Sequence, residues 1–290
     1  MNTSPKSMAR SLMLRSMRLP FVNADATMYA GLAGLALIIL CALFGPSLYP
    51  HDPWEMEAMP LLLPGAEAAH PLGTDAMGRD VLAGLIHGAR TSLIIGLFGA
   101  AFAMLIGIVV GSIAGYFRGR IDDLLMRITE IYQTIPIFIF LIVLVAIFGP
   151  KLWTITWAIA VVSWPPVARI TRAEFLSLRE REFVSASILM GVSDLRIICS
   201  EVLPNALPPV IVLGSIVTAN AILNEAALAF LGLGDPNVIS WGSMIGSGRE
   251  YLRTAWHLSA IPGVAILITV LSISLVGEWM NQVLNPKGRR

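Results

Sequence analysis

The sequence predicts an all-α membrane protein of six transmembrane helices with both termini in the cytoplasm. Composition is the first reason: 56% of the 290 residues are hydrophobic and 13% are charged, about half of the roughly 25% charge of a soluble domain, and mean hydropathy is +0.75. Apolar runs that recur at close to membrane-spanning length are the second. The third is an uneven distribution of Lys and Arg between alternate loops. A net charge of +1 gives no basic excess for a nucleic-acid partner and no acidic excess for a solvating tail.

A spanning helix needs about 20 mostly apolar residues, because every backbone N–H and C=O must be satisfied within the segment. Six runs approach this: residues 28–48, 93–116, 131–148, 152–167, 207–231 and 258–276. The fourth is short and is expected to stop or kink at Pro165-Pro166, which remove backbone donors. Basic residues precede the first run, as in a secretory signal, but its apolar core exceeds that of a signal sequence and Ile38-Ile39-Leu40-Cys41 lacks the small residue expected before a lipidated cysteine. It is read as a retained anchor.

Charge sets the orientation. Lys6, Arg10, Arg15 and Arg18; Arg118 and Arg120; Arg169, Arg172, Arg179, Arg181 and Arg196; and Lys287, Arg289 and Arg290 all fall on one side if six spans alternate. The other side holds Arg79, Arg90, Lys151, Arg249 and Arg253, and its first loop also carries Asp52, Glu55, Glu57, Glu67, Asp75 and Asp80. The division expected is a cytoplasmic tail (1–27), a first anchor (28–48), an outer loop with an amphipathic helix (49–90), a core (91–284) and a cytoplasmic tail (285–290). Within the core lie a cytoplasmic loop (171–205) and an outer loop (232–257).

In the first outer loop Asp80 is placed to cap a helix whose Val81, Leu82, Leu85 and Ile86 form one apolar face. That face fits the membrane surface or another span, and equally a short lead into the second span. The cytoplasmic loop is the most informative stretch. Ser185, Ala186 and Ser187 leave a nearly flat helix surface, Gly191 ends or breaks that helix, and Ser193-Asp194 can cap a second one from 195 to 202 closed by Pro204. Such a helix-turn-helix has only the membrane face or a partner protein to cover its apolar side chains, so docking is the sharper reading and a plain linker the other. In the outer loop 232–257, Trp241, Tyr251 and Trp256 sit where interfacial aromatics anchor.

Catalytic chemistry is not visible. His51, His70, His87 and His257 have no metal-ligand spacing, and there is no nucleophile elbow. Cys41 and Cys199 support neither a disulfide framework nor a thiolate metal site. A phosphate-binding loop ends in Gly-Lys-Ser/Thr. Here Lys6, Lys151 and Lys287 each follow proline, so an ATPase powering a pump would be a separate polypeptide.

Few charges fall within spans. Asp123 with Arg127, and Arg127 with Glu130, can pair along one helix face. Glu225 lies deep in the fifth span near Thr218, Asn220 and Asn224, with no basic residue within a turn. A carboxyl at that depth lines a wet pathway or bonds across helices. Glu278 can reach interfacial water.

Several motifs carry a resemblance. The run His70-Pro71-Leu72-Gly73-Thr74-Asp75-Ala76-Met77-Gly78-Arg79-Asp80-Val81-Leu82 followed by Gly88-Ala89-Arg90-Thr91-Ser92-Leu93, then Gly115-Tyr116-Phe117-Arg118-Gly119, Ala227-Leu228-Ala229-Phe230-Leu231-Gly232-Leu233-Gly234, Ser240-Trp241-Gly242-Ser243-Met244 and Pro262-Gly263 resemble, in order, landmarks of the C-type inner-membrane permease subunits of dipeptide, oligopeptide and nickel ABC importers. The resemblance implies a type I ABC importer transmembrane fold in the bacterial inner membrane. It further implies a peptide or related small solute as cargo, a homologous second permease, two ATPase subunits that bind ATP and Mg, and a periplasmic or lipid-anchored substrate-binding protein, with no enzymatic site and no cofactor or metal in this chain.

In that family a cytoplasmic EAA motif fits a groove on the ATPase. Its Glu-Ala-Ala triplet maps to Ser185-Ala186-Ser187, its glycine to Gly191 and its Leu-Pro to Leu203-Pro204, so that Ser185 through Ser187 and Gly191, Val192, Ser193, Asp194 and Leu195 are the expected coupling residues. Departures are Ser185 for the glutamate, Glu201 at a position often basic or polar, and Gly277-Glu278-Trp279-Met280-Asn281 near the end. Asn220, Asn224 and Glu225 are expected along the pathway; Asp235, Trp241 and Arg249 are expected to meet the binding protein. An ion-coupled secondary transporter and a membrane receptor or scaffold are the rival functions.

Overall fold

The computed structural model describes residues 24–284. The basic residues of both tails, Lys6 to Arg18 and Lys287 to Arg290, and with them the expected placement of the termini, lie outside the described residues. Among the described residues ten α-helices follow in order: α1 (Ala24–Leu48), α2 (Val81–Phe117), α3 (Gly119–Thr134), α4 (Ile137–Phe148), α5 (Leu152–Arg179), α6 (Glu182–Leu189), α7 (Asp194–Arg196), α8 (Leu203–Phe230), α9 (Trp241–Gly248) and α10 (His257–Leu284). A π-helical turn, Ile197–Val202, joins α7 to α8.

Among the described residues, four helices can cross a membrane by length and apolarity: α1, α2, the continuous stretch Asp194–Phe230 and α10. The pair α3–α4 makes a fifth if counted as one span, although its halves meet at 85°. The expected third span is therefore broken. Pro136 pushes the residue before it out of helical geometry, and Ile135 is extended at φ −86°, ψ 125°.

The fourth run differs in the opposite sense. Instead of stopping at Pro165-Pro166, α5 runs through both prolines to Arg179. Its support is α2, which packs along its length. Gly99, Gly107, Gly111 and Gly115 form a row on α2 facing Ile159, Val167, Thr171 and Phe175 of α5. A Cβ at Gly107 would stand 2.8 Å from the Trp164 carbonyl oxygen and 2.5 Å from Val167 Cβ. Small residues four apart let two backbones approach closely, which is how helices associate where lipid removes the hydrophobic driving force. The glycine row was available in the sequence.

On the outer side, Asp80 caps α2 through the N–H groups of Leu82 (2.6 Å) and Ala83 (3.1 Å). The helix it starts is not a separate surface helix. It continues unbroken for 37 residues, about 55 Å at 1.5 Å per residue and far more than the ~30 Å hydrocarbon core, so α2 projects beyond the membrane. Segment 49–80 folds back on it through turns, with Tyr49 hydroxyl (2.7 Å) and His70 Nδ1 (2.9 Å) also on Asp80.

Candidate functional site

The cytoplasmic helix-turn-helix is built from α6, the turn 190–193 and α7 with its π-helical continuation. Gly191 has φ +74°, a left-handed conformation that favours glycine. Its N–H donates to Ile188 O (3.0 Å) and the N–H of Val192 to Ser187 O (3.1 Å), the paired bonds of a Schellman turn. A Cβ on Gly191 would meet nothing within 4 Å. Backbone conformation, not space, is what demands glycine here.

Three expectations for this loop change. Ser193 stands at the N-terminus of α7 but its side chain makes no capping bond, and Asp194 is instead engaged by the Tyr116 hydroxyl at 2.7 Å. Pro204 does not close the second helix: it sits in the first turn of α8, where a missing N–H is tolerated, and the helix continues to Phe230. Nor does the loop lack an internal core. Val184, Ile197 and Val202 are buried with Tyr116, Phe175 and Ala206, because α2 and α5 extend far enough to provide one.

Polar bonds brace the same junction. Arg179 reaches the Tyr116 carbonyl and lies over its ring at 4.9 Å, and Arg118 bonds Leu176 O (3.0 Å) and Glu180 (3.2 Å). Arg172 grips Asp122 with two nitrogens. The expected pairs Asp123–Arg127 and Arg127–Glu130 do not form; the ion pairs among the described residues are His70–Asp80, Arg118–Glu180 and Arg172–Asp122. Asp122 turns toward α5 and is buried, whereas Asp123, Arg127 and Glu130 remain exposed. A bidentate pair across two helices gains more than an exposed pair along one.

One face of the loop stays uncovered. Ser185, Ala186 and Gly191 are exposed, beside Ile188 (45% exposed), Leu189 (88%), Met190 (73%) and Leu195 (73%). Ser187 is turned inward and bonds Glu201, and Val192 is half-buried. Ser193 and Asp194 are exposed beside the tip.

In the bundle, Glu225 is 2% exposed and takes the Ser92 hydroxyl at 3.4 Å, while Ser92 Oγ accepts from Trp241 N at 3.3 Å. The carboxyl thus ties α8 to α2 and α9. Asn220 is exposed and Asn224 half-buried on another face of α8.

On the outer face Asp235 accepts from the Leu152 N–H at 2.8 Å, capping α5, and from Asn237 N at 2.9 Å. Trp241 is 2% exposed and donates its indole N–H to Leu85 O (2.9 Å). It is a core residue, neither an interfacial anchor nor a surface for a partner, because the capping box of Ser240 and Ser243 starts α9 with its first residue pointing inward. Arg249 is exposed, with Nη1 3.2 Å from Phe230 O.

Residues 107–290 match the family described as binding-protein-dependent transport system inner membrane component. The chain is 42% identical over 263 residues to the di/tripeptide transport system permease protein DppC of Pseudomonas aeruginosa, covering 89% of this chain and 87% of the relative. It is 36% identical over 285 residues to the oligopeptide transport system permease protein OppC of Haemophilus influenzae, covering 97% and 90%. In structure it resembles a chain of the MetNI methionine ABC transporter, with TM-score 0.57 and 20% identity over 69% of this chain and 96% of the other. At that identity the likeness concerns the fold.

Proposed function

The chain belongs to the binding-protein-dependent transport system inner membrane component family, and from that premise we propose that it is the permease subunit of an ABC importer for di-, tri- or oligopeptides in the bacterial cytoplasmic membrane. Relatives named for peptide transport support the cargo. The observation that carries the mechanism is the exposed apolar tip Ile188, Leu189, Met190 and Leu195, mounted on a braced junction of three long helices. A separate ATPase subunit is the occupant proposed for that tip, one for this chain and one for a homologous second permease.

Force then has a defined route. Movement of α6 by the ATPase is carried through the Val184, Ile197 and Phe175 core and the Tyr116–Asp194 bond into α2, α5 and α8 together. Packed cores do not deform continuously, so the helices move as a unit. Nucleotide needs only to bind the two access states with different affinity. Asn220, exposed in a span with no hydrogen-bond partner among the described residues, belongs against a wet pathway or the second permease, since a lone amide facing lipid is costly. The binding protein docks outside, where Arg249 is accessible.

Purifying the chain with its partners and measuring ATP-dependent uptake of a labelled dipeptide into proteoliposomes tests the reading. Uptake that requires ATP, with loss of ATPase partners when Leu189 and Met190 become aspartate, is expected. Uptake driven by an ion gradient without ATP would replace it by the secondary-transporter reading.

A further inference from the structure

A cleft of about 770 Å³ opens between α3 and the C-terminal half of α5, on the side that the distribution of Lys and Arg places in the cytoplasm. Its charged wall consists of Asp123, Arg127 and Glu130 from α3 and Arg169 and Arg172 from α5. Of these, Arg172 is committed to Asp122. Among the described residues the side chains of Asp123, Arg127, Glu130 and Arg169 make no hydrogen bond or ion pair. The spacing on α3 would let Asp123 or Glu130 neutralise Arg127, yet neither does. Two cations and two anions therefore border one space unpaired.

A cleft of one sign takes a counter-ion, whereas one that holds both signs apart is complementary to a zwitterion. Along α3 the order is acid, base, acid, with Arg127 about 6 Å beyond Asp123 and about 4.5 Å short of Glu130 by helical rise. The ammonium and carboxylate of an extended dipeptide stand at most about 7 Å apart, which is the same scale. The volume lies within the roughly 300–1,000 Å³ of small-molecule sites, and Leu124 and Met126 add apolar wall for peptide side chains.

We infer that this cleft binds the free ends of a short peptide on the cytoplasmic side, with the carboxylate between Arg127 and Arg169 and the ammonium at Asp123 and Glu130. The inference rests on the importer reading above and adds to it a site to which released cargo returns. Guanidinium groups take a carboxylate through paired N–H donors. Exposed ion pairs each gain little, so the dissociation constant is on the order of 1 mM. Such a site fills only when peptide accumulates beside it.

The test uses the complete transporter in nanodiscs, free of nucleotide and binding protein, and a ligand-observed NMR titration with dialanine, N-acetyl-dialanine and dialanine amide. Wild type should prefer dialanine over each blocked analogue by about fivefold. Arg127→Gln/Arg169→Gln should lose the preference over the amide and keep that over the acetylated form. Asp123→Asn/Glu130→Gln should do the reverse. This crossed pattern is one that a general loss of structure would not give, and Arg169→Lys, which keeps the charge, should retain most of the preference. Discrimination in both double variants within about twofold of wild type would overturn the inference, as would equal weakening of all three ligands in both. A phosphatidylethanolamine headgroup carries the same two charges, so the titration is repeated in nanodiscs of phosphatidylglycerol with and without that lipid. Equal dialanine affinity is expected; displacement of dialanine by phosphatidylethanolamine would assign the cleft to lipid and overturn the peptide site. Failure of the importer reading is distinct: the wild-type complex would show no ATP-dependent uptake, whatever the cleft binds.

Discussion

The hydroxyl of Ser187 lies 2.8 and 2.7 Å from the two carboxylate oxygens of Glu201. Glu201 is one of the positions at which the loop departs from the EAA pattern, and Ser187, at the last position of the triplet, answers it. A serine in place of a small apolar residue provides the donor that a carboxylate between α6 and the root of α8 requires. Ser187→Ala should lower the stability of the complex by about 1–2 kcal/mol, the cost of leaving a partly buried carboxylate without its donor. The double variant Ser187→Ala/Glu201→Leu should recover much of that loss. A double-mutant cycle on thermal unfolding gives the coupling, and strictly additive effects would mean that the bond contributes nothing.

Gly191 supplies a second prediction. At φ +74°, alanine pays about 1–2 kcal/mol for left-handed backbone, whereas asparagine adopts it more readily. Because the position is open to solvent, neither residue clashes. Gly191→Ala should therefore weaken coupled ATPase activity more than Gly191→Asn, despite its smaller side chain. The reverse order would point to a steric requirement for glycine imposed by the partner.

The Arg172–Asp122 pair joins α5 to α3 near the cytoplasmic end. Arg172 is about a third exposed, which reduces its value below that of a fully buried pair. Asp122→Asn and Arg172→Gln should each cost about 1–3 kcal/mol, read as a lower unfolding temperature in detergent. The paired replacement Asp122→Leu/Arg172→Met should be milder than either, since no charge is stranded.

Asp80 makes stability depend on acid. Burial pushes its carboxyl upward, but hydrogen bonds from Tyr49, His70, Ala83 and Leu82 outweigh that and hold it below the ordinary carboxylate value. A carboxyl lower in the folded state contributes stability above its unfolded value, near pH 4, and that contribution is lost as pH falls through the folded value. Tyr49, pushed up to about 12 by burial and then by the adjoining Asp80, stays protonated throughout that range. Wild-type stability should fall more steeply than that of Asp80→Asn between about pH 5 and 2. Parallel curves would assign the acid sensitivity to other carboxylates.

Local chemistry was the part of this molecule open to reading from the chain alone. Asp80 as a cap, Gly191 as a helix end and the apolar length of α1, α8 and α10 each depend on neighbours within a few residues. What escaped depends on distant neighbours. Pro165-Pro166 is a helix breaker by its own chemistry, and only the row Gly99 to Gly115 on α2 explains why α5 survives it. Asp122 and Asp123 are adjacent and chemically alike, so sequence spacing favoured the wrong one; Arg172, fifty residues on, decides between them. Trp241 reads as an interfacial aromatic until α9 turns it into the core against Leu85.

Glu225 separates the transport mechanisms. Proton-coupled transport through this carboxyl would need it to change its charge in a wet pathway during each cycle. In the bundle it is buried between α8 and α2 with Ser92 as donor, and Ser92 itself accepts from the start of α9, a geometry suited to holding helices together. Glutamine at this position offers the same carbonyl acceptor to Ser92 and cannot titrate. Glu225→Gln should therefore keep at least about half of wild-type ATP-dependent uptake, with an unchanged pH profile. Glu225→Leu should lose more, through the unpaired Ser92 hydroxyl, by about 1–3 kcal/mol of stability. Abolition of uptake by glutamine in a complex that still assembles would make the negative charge itself part of the translocation step.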